Sequence, residues 1–244
     1  MLRISNLHKT YLKAVEPTLR GLSLEFPRPT IAGLLGPNGA GKTTTISILC
    51  GLVRPDSGTV EVLGADIRTD LERIKKRIGV VPQSIALYPP LSVRENLEYI
   101  GALYKIPGTI LQQRIRHFLQ LFGLDHTGSK AIRYFSGGMK RRANIIASLL
   151  HEPELLVLDE PTAGVDVQSR NLILQFLEDY HGQGHSIIYT SHLLEEAQQL
   201  CREVAIMDHG QLVVQGDPRL LMKDHGFSSL EQVFLHLTGI SLRD

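Results

Sequence analysis

Residues 31–43, Ile-Ala-Gly-Leu-Leu-Gly-Pro-Asn-Gly-Ala-Gly-Lys-Thr, constrain the fold of this chain more than any other segment. The apolar run Ile31 to Leu35 has the length of a buried strand. Gly36, Gly39 and Gly41 then let the backbone turn sharply, and Lys42-Thr43 open a stretch with Ile46, Leu49, Cys50 and Val53 at helical spacing. A strand that turns through glycines into a helix aims successive backbone N–H groups, and the positive end of the helix, at the turn. Such a loop is an anion cradle. Lys42 is placed to reach the β- and γ-phosphates of a nucleotide, the hydroxyl of Thr43 to ligate Mg²⁺, and Thr44 to bond the α-phosphate.

The pattern around this unit alternates. Strand-like runs occur at Leu2–Ser5, Leu22–Phe26, Thr59–Leu63, Ile78–Val81, Leu155–Leu158, Ser186–Tyr189, Glu203–Met207 and Gln211–Val214. Helical periods at Val167–Tyr180 and Leu193–Leu200 separate the later ones, which implies parallel strands covered by helices. Val93–Tyr104, Ile110–Phe122 and Ser136–Leu150 instead read as three successive helices with no strand between them. The expectation is one α/β domain over 1–244. Its core is 1–84 and 151–244, its helical subdomain 85–150, and its helical tail 219–244, where Leu230, Val233, Phe234 and Leu237 share an amphipathic face.

Twenty-six basic residues against 25 acidic ones leave a net charge of +1, so no electrostatic footprint points to nucleic acid as a partner. Lys75-Lys76-Arg77 and Lys140-Arg141-Arg142 read as solvated helix faces or ends. Cys50 and Cys201 stand far apart with no metal-ligand spacing around them, which fits a reducing cytosol. Apolar stretches such as Ile145–Leu150 are too short to span a bilayer, so any membrane part is expected on another chain.

Three further segments carry chemistry. Leu155-Leu-Val-Leu-Asp159-Glu160 is a buried-strand run ending in two carboxylates, at the edge where ligands sit in open α/β sheets. Asp159 is placed to hold Mg²⁺ and Glu160 to accept a proton from an attacking water. In Phe135-Ser-Gly-Gly-Met139, Ser136 caps a helix while Gly137 and Gly138 allow close backbone approach to an anion. His192 follows the strand at Ser186 and is placed to hydrogen-bond a γ-phosphate, whereas His181, His185 and His209 read as surface residues. Gln83, after the strand at Ile78, reads by itself as an ordinary loop amide, although its oxygen is able to ligate Mg²⁺ or meet the attacking water.

In this order, the motifs resemble the nucleotide-binding subunit of an ATP-binding cassette (ABC) transporter over nearly the whole chain. The resemblance implies a P-loop NTPase core of mainly parallel sheet, with an N-terminal antiparallel β subdomain and an inserted helical subdomain. It implies ATP and Mg²⁺ as cofactors. Tyr11 would stack on adenine, and Gly36, Pro37, Asn38, Gly39, Ala40, Gly41, Lys42, Thr43 and Thr44 would hold the phosphates. Gln83 would be the glutamine loop and Asp159 the Mg²⁺ aspartate. Glu160 would be the base, His192 the switch histidine, and Ala163 to Asp166 the loop after the base. Ser136, Gly137 and Gly138 would be the signature, which in the family faces the phosphate loop of a second subunit, so that two ATP molecules are sandwiched head to tail.

The partners so implied are a second ABC subunit, identical or a close relative, and a separate transmembrane permease subunit, but no nucleic acid. Location would be cytoplasmic and peripheral on the inner face of the membrane. The loop from Gln83 to Leu91 would touch the permease, with Tyr88 and Leu91 as contacts. Phe135, Met139 and Ala163 depart from the usual Leu, Gln and Ser. Phe135 to Arg142 and the ending Ser229 to Gly239 are similar to subunits of the bacterial ABC-2 exporter group, including the daunorubicin-resistance type. Two rivals are a soluble cassette ATPase acting on nucleic acid or ribosomes, and a nucleotide-dependent interaction module. The first would bring coiled-coil insertions or tandem cassettes, and the second often loses the carboxylate that Glu160 supplies.

Overall fold

The computed structural model describes residues 1–12 and 14–239. An antiparallel sheet, in the order β2-β1-β4-β5, is built from β1 (Leu2–Lys9), β2 (Leu19–Phe26), β4 (Ser57–Val62) and the short β5 (Ala65–Asp66). The second sheet, in the order β10-β9-β3-β8-β7-β6, joins β3 (Ile31–Leu35), β6 (Ile78–Val81), β7 (Leu155–Asp159), β8 (Ser186–Ser191) and β9 (Glu203–Asp208) in parallel, with β10 (Gln211–Gly216) antiparallel at one edge.

The central strands are apolar throughout because both faces are covered. Along β3, Ile31 and Leu35 enter a core shared with the helices, while Ala32 and Leu34 enter a second core shared with the antiparallel sheet. β7 alternates the same way, Leu156 and Leu158 to the helices, Leu155 and Val157 to the sheet. Helix α1 (Lys42–Leu49) lies in the second core through Ile46, Ile48 and Leu49. It ends earlier than its apolar spacing predicts. Gly51 takes a left-handed φ of 70° where a Cβ would come within 2.3 Å of Leu71, so Val53 packs from beyond the helix.

Between β6 and β7 run α3 (Val93–Leu103), α4 (Gly108–Leu121) and α5 (Gly137–Leu149). Helix α3 opens with a reciprocal capping box, Ser92 accepting from Glu95 N and Glu95 from Ser92 N. After β7 come α6 (Val167–Gly182) and α7 (Leu194–Leu200), then α8 (Pro218–His225) and α9 (Leu230–Thr238). Leu230, Val233 and Phe234 are buried, and residues 240–244 of the expected tail lie outside the described residues. The expected tail holds two helices rather than one, α8 and α9, while the helix α2 (Leu71–Lys75) and strand β5 had no counterpart in the periodicity.

Two surface expectations are corrected. His185 stacks on Tyr180 at 4.0 Å with an interplanar angle of 6°, and its Nδ1 lies 3.0 Å from the Pro153 carbonyl oxygen, so it is half-buried rather than a free turn residue. His181 is half-buried too, with Nδ1 2.9 Å from the His185 carbonyl oxygen. Arg77 is no solvated lysine-like end, since it forms a two-pronged pair with Glu154 at 2.6 and 2.7 Å and also donates to the Leu63 carbonyl.

Candidate active site

Parallel register brings the ends of four strands to one edge. Leu35 pairs with Ser191, Asp159 with Thr190, and Val81 with Leu158. The segments that follow, beginning at Gly36, Gln83, Glu160 and His192, therefore leave the sheet side by side, as expected for ligand sites in open α/β sheets.

The glycine loop is held to its path by packing. At Gly36 a Cβ would meet the Met207 carbonyl oxygen at 2.3 Å, and Gly41, the N-cap of α1 at φ 101°, would meet Leu19 at 2.7 Å. Lys42 is buried, and its Nζ donates to the carbonyls of Gly36 (2.7 Å) and Pro37 (3.1 Å). Burial pulls its pKa below the usual lysine value, while the charges of Glu160 and Asp159 act in the opposite sense. Thr43 is exposed and Thr44 buried, with Thr44 Oγ1 3.3 Å from the Tyr11 hydroxyl. Tyr11 keeps 41% of its surface exposed, with Lys9 Nζ 5.8 Å from its ring centroid. An exposed ring tethered to the helix behind the loop can stack on a planar base.

Glu160 is the centre of the acidic edge. Only 9% exposed, it receives the side-chain amide of Gln83 on Oε2 at 3.0 Å, and Nδ1 of His192 stands 3.3 Å from Oε1. Three residues distant in sequence thus meet at one carboxylate. The backbone of Glu160 takes φ 48°, a left-handed conformation that costs a residue with a Cβ on the order of 1 kcal/mol or more. Thr190 helps to hold it there. Fully buried, this residue accepts from Glu160 N at 3.0 Å and donates to Asp159 Oδ1 at 2.7 Å, joining both carboxylate residues through one hydroxyl.

Thr190 escaped sequence reasoning, because the end of β8 reads Tyr-Thr-Ser and nothing in that polar run singles out one hydroxyl. Replacing it by Val keeps shape but leaves the Glu160 amide unpaired. Thr190→Val is expected to lower unfolding free energy by about 1–3 kcal/mol and to depress ATP turnover more than ATP affinity. Denaturant unfolding and steady-state kinetics of the variant would read both effects.

A second buried network braces the same region. Thr162 Oγ1 donates to Glu196 Oε2 at 2.6 Å, the Tyr189 hydroxyl donates to the same oxygen, and Arg170 Nε lies 3.0 Å from Oε1. Residues just after Glu160, just before Thr190 and on two helices are thereby fixed relative to one another. Burial and the Glu196 charge push the Tyr189 hydroxyl pKa well above its usual value, keeping it a donor.

Ser136 is the N-cap of α5, its Oγ accepting from Met139 N at 3.2 Å, and it remains exposed with Gly137. Gly138 is required by packing. A Cβ there would meet Ser169 Oγ at 2.3 Å and Asp166 Oδ2 at 2.4 Å, at the capped start of α6. The signature thus lies against the loop Ala163 to Asp166. Phe135 is buried in the helix-side core, and Met139 packs against it half-buried, so the two departures from the usual motif fill space.

The basic run after the signature is not the solvated face its composition suggested. Arg141 is buried and donates to the backbone carbonyls of Pro82 and Gln83, while Arg142 donates to that of Phe122 at 2.6 Å. Fork-shaped guanidinium groups can satisfy carbonyls that helices and turns leave open.

Comparison with known proteins agrees with this geometry. A family model described as ABC transporter matches residues 19–163. The linearmycin resistance ATP-binding protein of Bacillus subtilis is 42% identical over 241 residues, covering 99% of this chain and 76% of its own length. A daunorubicin resistance ATP-binding protein of Streptomyces coeruleorubidus is 39% identical over 215 residues, covering 88% of this chain and 68% of its own length. A solved ATP binding subunit of an ABC transporter superposes with a TM-score of 0.88 at 26% identity, covering 98% of this chain and 99% of its own.

Proposed function

Because the chain belongs to the ABC transporter family as an ATP-binding, ATP-hydrolysing subunit, we propose that it drives export through a separate transmembrane subunit, as a head-to-tail dimer on the inner face of the cell membrane. The observation that carries this reading is the convergence of Gln83 and His192 on Glu160 at the sheet edge beside the glycine loop. ATP lies along Gly36 to Thr44, its adenine on Tyr11. Lys42 turns from the loop carbonyls toward the β- and γ-phosphates, a short movement for a flexible ammonium that already sits among them.

The donor set fits Mg²⁺. Thr43 presents an exposed hydroxyl, and Thr190 occupies Oδ1 of Asp159, leaving Oδ2 for a cation. A carboxylate only accepts, so the amide of Gln83 must turn its NH₂ to Glu160, which leaves its carbonyl oxygen free for the same ion. When bound, the ion neutralises charge on the β- and γ-phosphate oxygens. Glu160 accepts a proton from the attacking water as its oxygen bonds to the γ-phosphorus and the bond to the bridging oxygen of ADP breaks. His192 holds the γ-phosphate and the carboxylate in register. Ser136, Gly137 and Gly138 meet the γ-phosphate bound to the second subunit, so ATP closes the dimer and its hydrolysis opens it.

A groove of about 770 Å³ lies away from the nucleotide residues and supports a docked partner. Leu52, in the turn after α1, is 76% exposed there, and Leu103, Tyr104, Ile106 and Ile110 line the turn from α3 to α4. Apolar walls rimmed by Lys75, Lys76 and Lys105 suit a short amphipathic helix with an acidic edge. Tyr88 does not line this groove but is half exposed and edge-on to Tyr99, whereas Leu91 is half-buried and its carbonyl accepts from Ile132 N. The relatives named for linearmycin and daunorubicin resistance favour an amphiphilic drug-like cargo.

The reading is tested by purifying the tagged chain from its native membrane. A subunit with several apolar spans should accompany it, and ATP turnover by the complex should stop with EDTA and return with Mg²⁺. Recovery with ribosomes or nucleic acid and no membrane subunit would overturn the proposal.

A further inference from the structure

On α5, Arg141 and Asn144 lie three residues apart on one face of the helix and both grip the segment after β6. Arg141 Nη1 donates to the Pro82 carbonyl at 2.8 Å and Nη2 to the Gln83 carbonyl at 2.6 Å. Asn144 Oδ1 accepts from the backbone N–H of Ala86 at 3.0 Å. Both side chains are buried, Arg141 to 6% and Asn144 to 2% exposure.

A buried guanidinium needs a reason. Removing it from water is costly, and a methionine of similar reach would lie in the apolar core beside it at no such expense. Among the described residues no carboxylate stands within ion-pair distance of Arg141, so its hydrogen bonds go to backbone carbonyls alone. Those carbonyls flank the Cα of Gln83. The same residue sends its side chain to Glu160 at 3.0 Å, and a hydrogen bond of that length does not survive an ångström of drift in the Cα.

We propose that Arg141 is a positioning residue, which ties the signature helix to the glutamine loop and so holds Gln83 on the catalytic carboxylate of its own subunit. The inference rests on the proposed roles of Glu160 and Gln83. Ser136 begins the helix that carries Arg141 five residues on, about 7.5 Å along a rigid axis. A shift of the signature, when it engages nucleotide on a second subunit, is therefore passed to Gln83 through two short hydrogen bonds. Asn144 keeps the far end of the loop on the same face, so the segment 82–86 moves with α5 as one piece.

The test is a double-mutant cycle on ATP turnover with Gln83→Ala, Arg141→Met and both together, each checked by thermal melting. Arg141→Met is expected to lower kcat by about 10- to 100-fold, the scale of a small misplacement of a catalytic group. KM for ATP should change by less than about threefold, because the glycine loop is untouched. In the Gln83→Ala background the same change should cost less than about twofold, since the group it positions is gone.

Costs that multiply in the double variant would overturn the inference while leaving the role of Gln83 intact. Wild-type kcat in Gln83→Ala alone would overturn the reading of Gln83 itself, and the inference with it. Arg141→Lys, which keeps charge and stem but lacks the fork, runs through the same cycle, so the result does not depend on Arg141→Met folding. It is expected to recover less than about a third of the lost kcat. Full recovery would mean that charge alone matters and would overturn the proposal.

Discussion

Glu160→Gln is expected to bind ATP within about threefold of the wild-type affinity while kcat falls by at least about 100-fold, the usual worth of a positioned general base. The substitution is nearly isosteric. Its side-chain oxygen still accepts from Gln83, its amide can face His192, and the backbone N–H keeps Thr190. What disappears is the group that takes the proton of the attacking water. The γ-phosphate then stays in place, so an ATP-bound dimer should accumulate, visible by light scattering of the variant with Mg²⁺ and ATP. Turnover at the wild-type rate would remove Glu160 from the role of base.

Ser136→Arg is expected to abolish ATP-driven dimerisation and turnover together, with binding of a fluorescent nucleotide to the monomer unchanged. Ser136 is exposed and spends its hydroxyl on the first turn of α5, whereas Lys42 and the loop carbonyls lie on other elements. Arginine removes a cap worth about 1 kcal/mol. It also sets a cation at the positive end of a helix, where the γ-phosphate of the second subunit would dock. Ser136→Ala separates these causes, since it loses only the cap and should keep most of the dimer. Loss of nucleotide affinity in monomeric Ser136→Arg would place the signature at its own phosphate loop and refute the head-to-tail geometry.

Local signals carried the sequence reading far. A strand, glycine loop and helix need no distant partner to be recognised, and five parallel strands announced themselves by apolar runs covered on both faces. Short elements were hidden for a physical reason. A helix of five residues such as α2 makes little more than one turn, too few for an apolar face to repeat, so tertiary contacts define it. Charge misled at Arg141 and Arg142. A basic run has the same composition whether its guanidinium groups face water or carbonyls, and only the packing of α5 on the loop after β6 distinguishes the two. The spacing of Arg141 and Asn144 among the apolar positions of that helix was the one hint.

By itself the sequence determined which residues are able to bind phosphate, carry a cation or accept a proton, because these are properties of side chains and of the turns around them. It also determined the βα order that places them after strands. Only the tertiary structure decided that Gln83 and His192 share the carboxylate of Glu160, that Thr190 joins Asp159 to Glu160, and that Arg141 holds the loop carrying Gln83. Gln83 and Glu160 stand 77 residues apart, and the register of parallel strands closes that gap. Register follows from burying both faces of the sheet at once, a condition of the whole core that no single segment contains.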